Sequence, residues 1–149
     1  MTQVKRYVSA GGVVVDDGRV LVLQRPSRNE VRLPKGHIKP GETVREAALR
    51  ETSEESGYLD VTIEADLGSQ MVTFHHKGRR VVREERYFLM ALLRQRGEPR
   101  GGGEAQFEPQ WLAWEDALTA LSFEAEREWV RRARVLTHGS NVDLAPRLG

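Results

Sequence analysis

The sequence predicts an α+β fold in which a mixed β-sheet lies between helices. Three observations support this prediction. Val-rich segments joined by short turns indicate β-hairpins, and helical segments mix with them without the regular β–α–β alternation of a parallel sheet. The chain has 149 residues, of which 39% are hydrophobic. That length is typical of one domain, here residues 1–149, that buries roughly 68–70% of its unfolded surface.

The composition excludes several classes of protein. The net charge of +1 argues against a general nucleic-acid coat or a polybasic membrane anchor. The chain has no cysteine, so a disulfide framework, a thiolate zinc site and a cysteine nucleophile are ruled out. No apolar run approaches the ~20 residues of a membrane span, and no signal-peptide core is present. We expect a cytoplasmic protein, and both a monomer and a homodimer stay open.

The first half of the chain contains one hairpin, one loop and one helix. Residues 4–15 and 19–25 form the hairpin, with Asp16, Asp17 and Gly18 as its turn. Residues 26–42 contain three prolines and two glycines, which is typical of a structured loop. A helix follows up to about residue 56. Its N-terminal signals are a Thr43 cap and a capping box with Glu46, and Gly57 ends it.

The second half is predicted to be mostly strands, followed by two helices. Three strands are expected at about 59–66, 70–75 and 81–94, the last two joined by a basic tip at 75–80. Residues 97–106 are glycine-rich and indicate a loop. A short strand at 111–113 precedes helices at about 115–121 and 123–137, and the tail from His138 has little pattern.

The helix after Thr43 has an unusual face. At ~100° per residue, one stripe contains the following residues: Val44, Ala47, Ala48, Glu51, Glu54 and Glu55. Arg45, Glu46, Ser53 and Ser56 point elsewhere. Carboxylates one turn apart repel each other, and the negative end of the helix dipole lies beside them. A hard divalent cation, Mg²⁺ or Mn²⁺, relieves both effects, whereas the alternative interpretation is an ordinary solvated acidic face.

The residues around this helix resemble the Nudix box, G-x5-E-x7-R-E-U-x-E-E-x-G-U, in which U is bulky and apolar. Gly36, Glu42 and the run from Arg50 to Tyr58 match all seven fixed letters in register. The chance of this match in ~130 windows is on the order of 10⁻⁶. Thr52 and Tyr58 replace the usual aliphatic residues, and both can pack.

The resemblance implies an α/β/α sandwich and metal-dependent hydrolysis of a small-molecule nucleotide, a nucleoside diphosphate linked to another group. It implies that Glu51, Glu54 and Glu55 hold the metal and that one of them activates the attacking water. Arg50 would fix their geometry, and Gly36 and Glu42 would shape the loop. The further candidates for the metal shell are Gly36 and, from outside the box, Glu104.

The substrate is less well defined by the sequence. Pro34, Lys35, Gly36 and His37 resemble the P-K-G-H run of diadenosine polyphosphate hydrolases, as does the strand around Tyr87. The resemblance implies that Lys35 and His37 contact the phosphate chain and that Tyr87 stacks on adenine, although Tyr87 in a strand is also a candidate core residue. Arg25 and the basic tip at 75–80 are further candidates for phosphate contacts, and the charges of the tip also suit the protection of an edge strand.

Several other functions stay open. Within the same family they are hydrolysis of nucleoside triphosphates, of ADP-ribose, of diphosphoinositol polyphosphates or of the 5′ end of RNA. A domain that senses nucleotides without turnover is a different class, which the intact glutamate set argues against. An RNA substrate calls for a basic groove, and the candidate is an arginine cluster at residues 127–134, whose members can instead pair with Glu124 or Glu128.

Overall fold

The computed structural model describes residues 3–93 and 104–148, with side chains described as far as His138. Within these residues there are seven strands, a short 3-10 turn at Pro26–Arg28 and three helices. The strands are β1 (Val4–Asp16), β2 (Arg19–Arg25), β3 (Glu30–Arg32), β4 (Lys35–His37), β5 (Val61–His76), β6 (Arg79–Leu92) and β7 (Glu108–Ala113). The helices are α1 (Val44–Ser56), α2 (Trp114–Ala120) and α3 (Glu124–Leu148).

The sheet is mixed, as predicted. Its order is β3-β2-β1-β6-β5, with β4 beside β1 and β7 beside β2. The long central pair, β1 and β6, is parallel, and the other pairs are antiparallel. β1 therefore has β6 along one edge, while its other edge contacts first β4 and then β2.

The sheet separates two hydrophobic clusters. Successive residues of a strand point to opposite faces, so Val13 and Val14 on β1 enter different clusters. Val14 packs with Ala47 and Ala48 of α1. Val13 belongs to the cluster that includes Trp129 of α3. This arrangement confirms the helix–sheet–helix sandwich.

Local signals predict several boundaries correctly. The Thr43 side chain accepts a hydrogen bond from the Glu46 amide at 3.1 Å, and the Glu46 carboxylate accepts one from the Thr43 amide at 2.9 Å. Gly57 ends α1 in the left-handed conformation, at φ 82°. Lys77 and Gly78 turn the β5–β6 hairpin with positive φ at both positions, the geometry of a tight two-residue hairpin.

Two predicted boundaries are wrong. The strands expected at 59–66 and 70–75 are one strand, β5, which is interrupted by register shifts at Ile63/Ala65 and Asp66/Gly68. Gly68 has φ 94° and marks a bulge instead of a turn. The last helix does not end near residue 137 but extends to Leu148, because extending an existing helix costs little even where the sequence has no amphipathic pattern. Of the loop predicted at 97–106, residues 97–103 lie outside the described residues.

No helix in the described part of the chain is both long enough and apolar enough to cross a membrane.

Candidate active site

The three box glutamates lie at the C-terminal half of α1, in unequal environments. The buried residues of α1 are Ala47, Ala48, Thr52 and Ser56. The Ser56 hydroxyl donates to the Thr52 carbonyl at 2.6 Å. The predicted stripe of Val44, Ala47, Ala48 and the glutamates therefore differs from the buried one, which continues from the alanines through Thr52 and Ser56. Glu51 and Glu55 flank that stripe, whereas Glu54 lies farther out, with 47% of its side chain exposed.

Arg50 holds the acidic residues together. Its guanidinium donates to both oxygens of Glu42, at 2.6 and 2.9 Å, and to the His37 carbonyl at 3.0 Å. It also donates to Glu51 at 2.7 Å and to Glu54 at 3.1 Å. The hydrogen bonds from Arg50 and from the Lys39 amide lower the pKa of Glu42 to about 2. The predicted role of Arg50 in fixing this cluster therefore agrees with the contacts in the structure.

Gly36 makes room for a carboxylate. It lies in β4, opposite Ala10 of β1, and a Cβ at this position would overlap the carboxyl group of Glu51. The backbone conformation does not call for glycine here, because the φ of Gly36 is not in the left-handed region, unlike that of Gly57. The glycine is required because the Glu51 carboxyl lies directly against the strand backbone.

Glu55 is the most perturbed carboxyl of the set. Burial raises its pKa to about 8, and repulsion from Glu104 and Glu51 adds to the effect, while the hydrogen bond from the Lys35 amide to Glu55 Oε1, at 2.9 Å, opposes it. Glu104, predicted as a further metal ligand, is therefore close enough to act electrostatically on Glu55. Glu104 itself accepts a hydrogen bond from Gln106 at 2.7 Å.

The donor set fits a hard divalent cation. Its ligating atoms are carboxylate oxygens, the atoms that Mg²⁺ and Mn²⁺ prefer. Glu51 and Glu104 both repel Glu55, and a cation relieves that repulsion. In the part of the chain that the structure describes, no three acidic or histidine side chains yet surround a common point. Arg50 holds Glu51 and Glu54 to one side, so a complete shell requires side-chain rotation, which the exposed Glu54 allows.

Lys35 and His37 direct their side chains to the face of the sheet opposite Gly36. The Lys35 side chain is largely buried, which lowers its pKa, as do the charges of Arg83 and Arg32. It lines a pocket of about 370 Å³. The His37 ring is exposed and stacks on Tyr7 with centroids 4.3 Å apart. The partial loss of solvent around the ring and the charge of Lys5 lower the pKa of His37. Their contact with a phosphate chain stays a prediction.

Tyr87 cannot take the role expected of it. Its side chain is 0% exposed, and its ring stacks on Trp129 with centroids 4.8 Å apart. Its hydroxyl has no hydrogen-bond partner among the described residues. The alternation of β6 sends Tyr87 into the core, so the expectation that it stacks on adenine is wrong.

Arg25 faces the segment that contains Glu104. It donates to the Gln106 side chain at 3.2 Å and lies over the Phe107 ring, 5.7 Å from its centroid. Gln106 in turn donates to Glu104. The structure thus links Arg25 to the candidate metal shell through Gln106, which the sequence alone does not indicate.

The arginines of α3 are engaged in ion pairs. Arg127 and Arg131 both contact Glu124 at 2.8 Å, and Arg131 also contacts Glu128 at 3.1 Å. Arg134 contacts Glu115 at 3.3 Å. These ion pairs neutralise the arginine cluster that was the candidate for a basic, RNA-binding groove.

The sequence did not indicate a second pocket on the same face as His37. This pocket, called the tip pocket from here on, has a volume of about 590 Å³. Its lining includes Lys5, Tyr7, His37, Phe74, Lys77 and Arg79. Lys5 and Tyr7 lie two residues apart on β1, so their side chains point to the same face of the sheet. This spacing is the sequence signal from which their proximity could have been predicted.

Comparison with known proteins gives a consistent result. The model of the NUDIX domain matches residues 5–133. A Mycobacterium tuberculosis protein that carries the name mutator protein MutT4 is 34% identical over 129 residues. The match covers 80% of this chain and 51% of that protein, so the chain spans about half the length of this relative.

Solved structures share the fold. A Caenorhabditis elegans Ap4A hydrolase, solved as a binary complex, superposes with a TM-score of 0.71 at 25% identity, covering 89% of this chain and 98% of its own. The Escherichia coli dihydroneopterin triphosphate pyrophosphohydrolase superposes with a TM-score of 0.66 at 24% identity, covering 86% and 94%. The second likeness concerns the fold alone.

Proposed function

The chain belongs to the Nudix family, and we propose that it hydrolyses a pyrophosphate linkage in a nucleoside diphosphate derivative. The observation that carries this proposal is the arrangement at the end of α1. Glu51 is lodged against Gly36, Glu55 accepts from the Lys35 amide, and Arg50 holds Glu51 and Glu54. This is an acidic site held together by hydrogen bonds, without a histidine or serine nucleophile among its members.

We propose that Glu51, Glu54 and Glu55 hold Mg²⁺ or Mn²⁺, with the backbone of Gly36 and the side chain of Glu104 as further ligands. When bound, the metal neutralises the phosphate oxygens and lowers the pKa of a water molecule. The protein's own part is positional. Arg50 fixes the direction of two carboxylates through a rigid fork, and one of the glutamates receives the proton of the attacking water.

For the substrate we propose a diadenosine polyphosphate. The P-K-G-H run and the likeness to the nematode Ap4A hydrolase support this choice. A further support is the position of Lys35 and His37, whose side chains line two adjacent pockets. A nucleoside triphosphate is the second candidate, favoured by the similarity to a mutator protein.

The test is incubation with Mg²⁺ and a panel of diadenosine polyphosphates, nucleoside triphosphates, ADP-ribose, diphosphoinositol polyphosphate and 5′-triphosphorylated RNA. Products are read by chromatography. We expect preferred cleavage of diadenosine tetra- to hexaphosphate, with ATP as one product. Preferred cleavage of nucleoside triphosphates would overturn the assignment of a diadenosine polyphosphate as substrate, while the assignment of a hydrolase activity would stand. No cleavage of any compound, with metal binding retained, would overturn the enzyme assignment in favour of a sensing domain.

A matched pair of variants ties the activity to the site. Glu51→Gln removes a charge from the candidate metal shell, whereas Glu64→Gln removes one from an exposed position on β5. We expect activity to be lost in the first variant and kept in the second. Equal activities would contradict the assignment of Glu51.

A further inference from the structure

The tip pocket is assembled by strand register. Parallel pairing sets Lys5 of β1 beside Val81 of β6, and antiparallel pairing sets His76 of β5 opposite Arg79. β4 adds His37, which pairs with Ser9 on the other edge of β1. The tip of the β5–β6 hairpin and the start of the box loop therefore both lie near the N-terminal half of β1.

The charges around this pocket are unbalanced. None of the eight residues that line it is acidic. Lys5, Lys77 and Arg79 are exposed, and within the described part of the chain Lys77 and Arg79 form no ion pair. Cations that repel one another and have no acidic partner favour the binding of an anion. This differs from α3, where each of the arginines discussed above has a glutamate partner.

One wall of the pocket is aromatic. The rings of Tyr7 and His37 stack at an interplanar angle of 20°, and Phe74 of β5 contributes a third ring. The side chain of Arg83 lies over Phe74, 5.1 Å from the ring centroid, and donates to the Tyr7 hydroxyl at 3.4 Å. Because the two rings cover one face of each other, a base can stack only on an outer face of the pair. Such a face next to cations suits a nucleobase that carries phosphates.

A single residue connects the tip pocket to the acidic site. The His37 ring lines the pocket, while its carbonyl accepts a hydrogen bond from Arg50 at 3.0 Å. Arg50 in turn holds Glu51. His37 therefore lies on β4 between the acidic site, on the face of Gly36, and the tip pocket, on the other face.

We propose that the tip pocket binds the far nucleotide of the substrate, with its phosphates against Lys5, Lys77 and Arg79 and its base against the ring wall of Tyr7 and His37. The inference rests on the proposed function, since it supposes a substrate with two nucleotide halves. It gives the basic hairpin tip a role in substrate selection that protection of an edge strand does not require.

The test measures binding, so that it does not depend on turnover. The probes are a methylene-bridged diadenosine tetraphosphate and the methylene analogue of ATP, both with Mg²⁺, titrated by calorimetry. We expect the wild-type chain to prefer the two-base probe. The double variant Lys77→Gln/Arg79→Gln should reduce the ratio of the two affinities about tenfold. Arg19→Gln, at an exposed position at the start of β2, is the matched control and should leave the ratio unchanged.

A second variant separates the rings from the charges. Tyr7→Leu keeps an apolar side chain but removes the stacking surface, and it should also reduce the ratio about tenfold. The melting temperature of each variant is measured to verify folding. An unchanged ratio in both folded variants, or an equal loss for both probes, would overturn the inference. If the affinity ratios shift as expected but the wild-type chain has no hydrolase activity, the proposed function is refuted while the proposed binding site is retained.

Discussion

The acidic end of α1 and the tip pocket are built in opposite ways. At α1 the acidic side chains have partners in the protein: Arg50 forms five hydrogen bonds, and Glu51 fills the space that Gly36 leaves. In the tip pocket, Lys77 and Arg79 project from a hairpin turn, and no ion pair with a described residue holds them. Under the proposed function, the comparison separates a site whose carboxylates are positioned by neighbouring residues from a pocket whose cations are left available for an anionic substrate.

The largest effect should come from a change at the acidic end of α1. Glu54→Gln keeps the volume and removes a charge, so we expect turnover to fall by about 10²–10³-fold or more. The melting temperature without metal should be kept or raised, because repulsion between neighbouring carboxylates decreases. Steady-state kinetics and thermal unfolding measure the two quantities. Near-normal turnover would contradict the metal-ligand assignment of Glu54.

The next effect tests whether the geometry depends on the guanidinium fork. Lysine keeps the charge of Arg50 but cannot donate in one plane to several carboxylates. We expect Arg50→Lys to lower kcat about 10–100-fold and to raise the Mg²⁺ concentration for half-maximal activity. Arg45→Lys, on an exposed position of the same helix, is the control. Equal kcat values for the two variants would mean that charge alone is needed.

A smaller effect, on stability, should follow from Gly36→Ala. The added methyl group meets the Glu51 carboxyl and forces it out of position, which we expect to cost about 1–3 kcal/mol of unfolding free energy. Adding Glu51→Ala removes the overlap, so the double variant should regain stability and stay inactive. Denaturant unfolding of both variants decides this. If Glu51→Ala does not restore the stability lost in Gly36→Ala, the loss does not come from the overlap with the Glu51 carboxyl.

Tyr87→Phe tests a residue that belongs to neither region. Its buried hydroxyl has no partner among the described residues, so its removal should change the unfolding free energy by no more than about 1 kcal/mol. The value of kcat/KM should stay the same. A large rise in KM would show that Tyr87 contacts the substrate after all.

The smallest effect is expected for the stability of the tip. Because Lys77 and Arg79 are exposed, Lys77→Gln/Arg79→Gln should shift the melting temperature by no more than about 2 °C. Differential scanning calorimetry measures the shift. A large loss would mean that the tip supports the fold and would remove the contrast between the two regions.

The acidic region could be predicted from sequence because its determinants are local. The Thr43–Glu46 capping box, the Gly57 end and the glutamate spacing all lie within one helix. The role of Gly36 could not be predicted, since it depends on β4 lying against Glu51, fifteen positions away in the chain. Short local patterns indicate elements, and only tertiary packing shows what a glycine accommodates.

The errors have the same origin. The alternation of side chains along β6 is the same whether the face with Tyr87 is covered by solvent or by α3. The packing of Trp129 against the Tyr87 ring makes that face a buried one. Asp66 and Gly68 have the composition of a turn, but the pairing of β5 with β6 turns them into a bulge. The tip pocket combines β1, β4 and the β5–β6 hairpin, so no sequence window contains it.

The parallel pairing of β1 with β6 has a consequence for folding kinetics. Val4 pairs with Arg80 and Val14 with Met90, so the first strand must wait for a partner from the middle of the chain. Pairings between such distant residues carry a loop-closure cost before they contribute stability, and they slow folding. During synthesis the hairpin of β1 and β2 emerges long before β6. Until β6 arrives, one edge of β1 is open to other partners, which makes early folding the stage at which this chain is most exposed to aggregation.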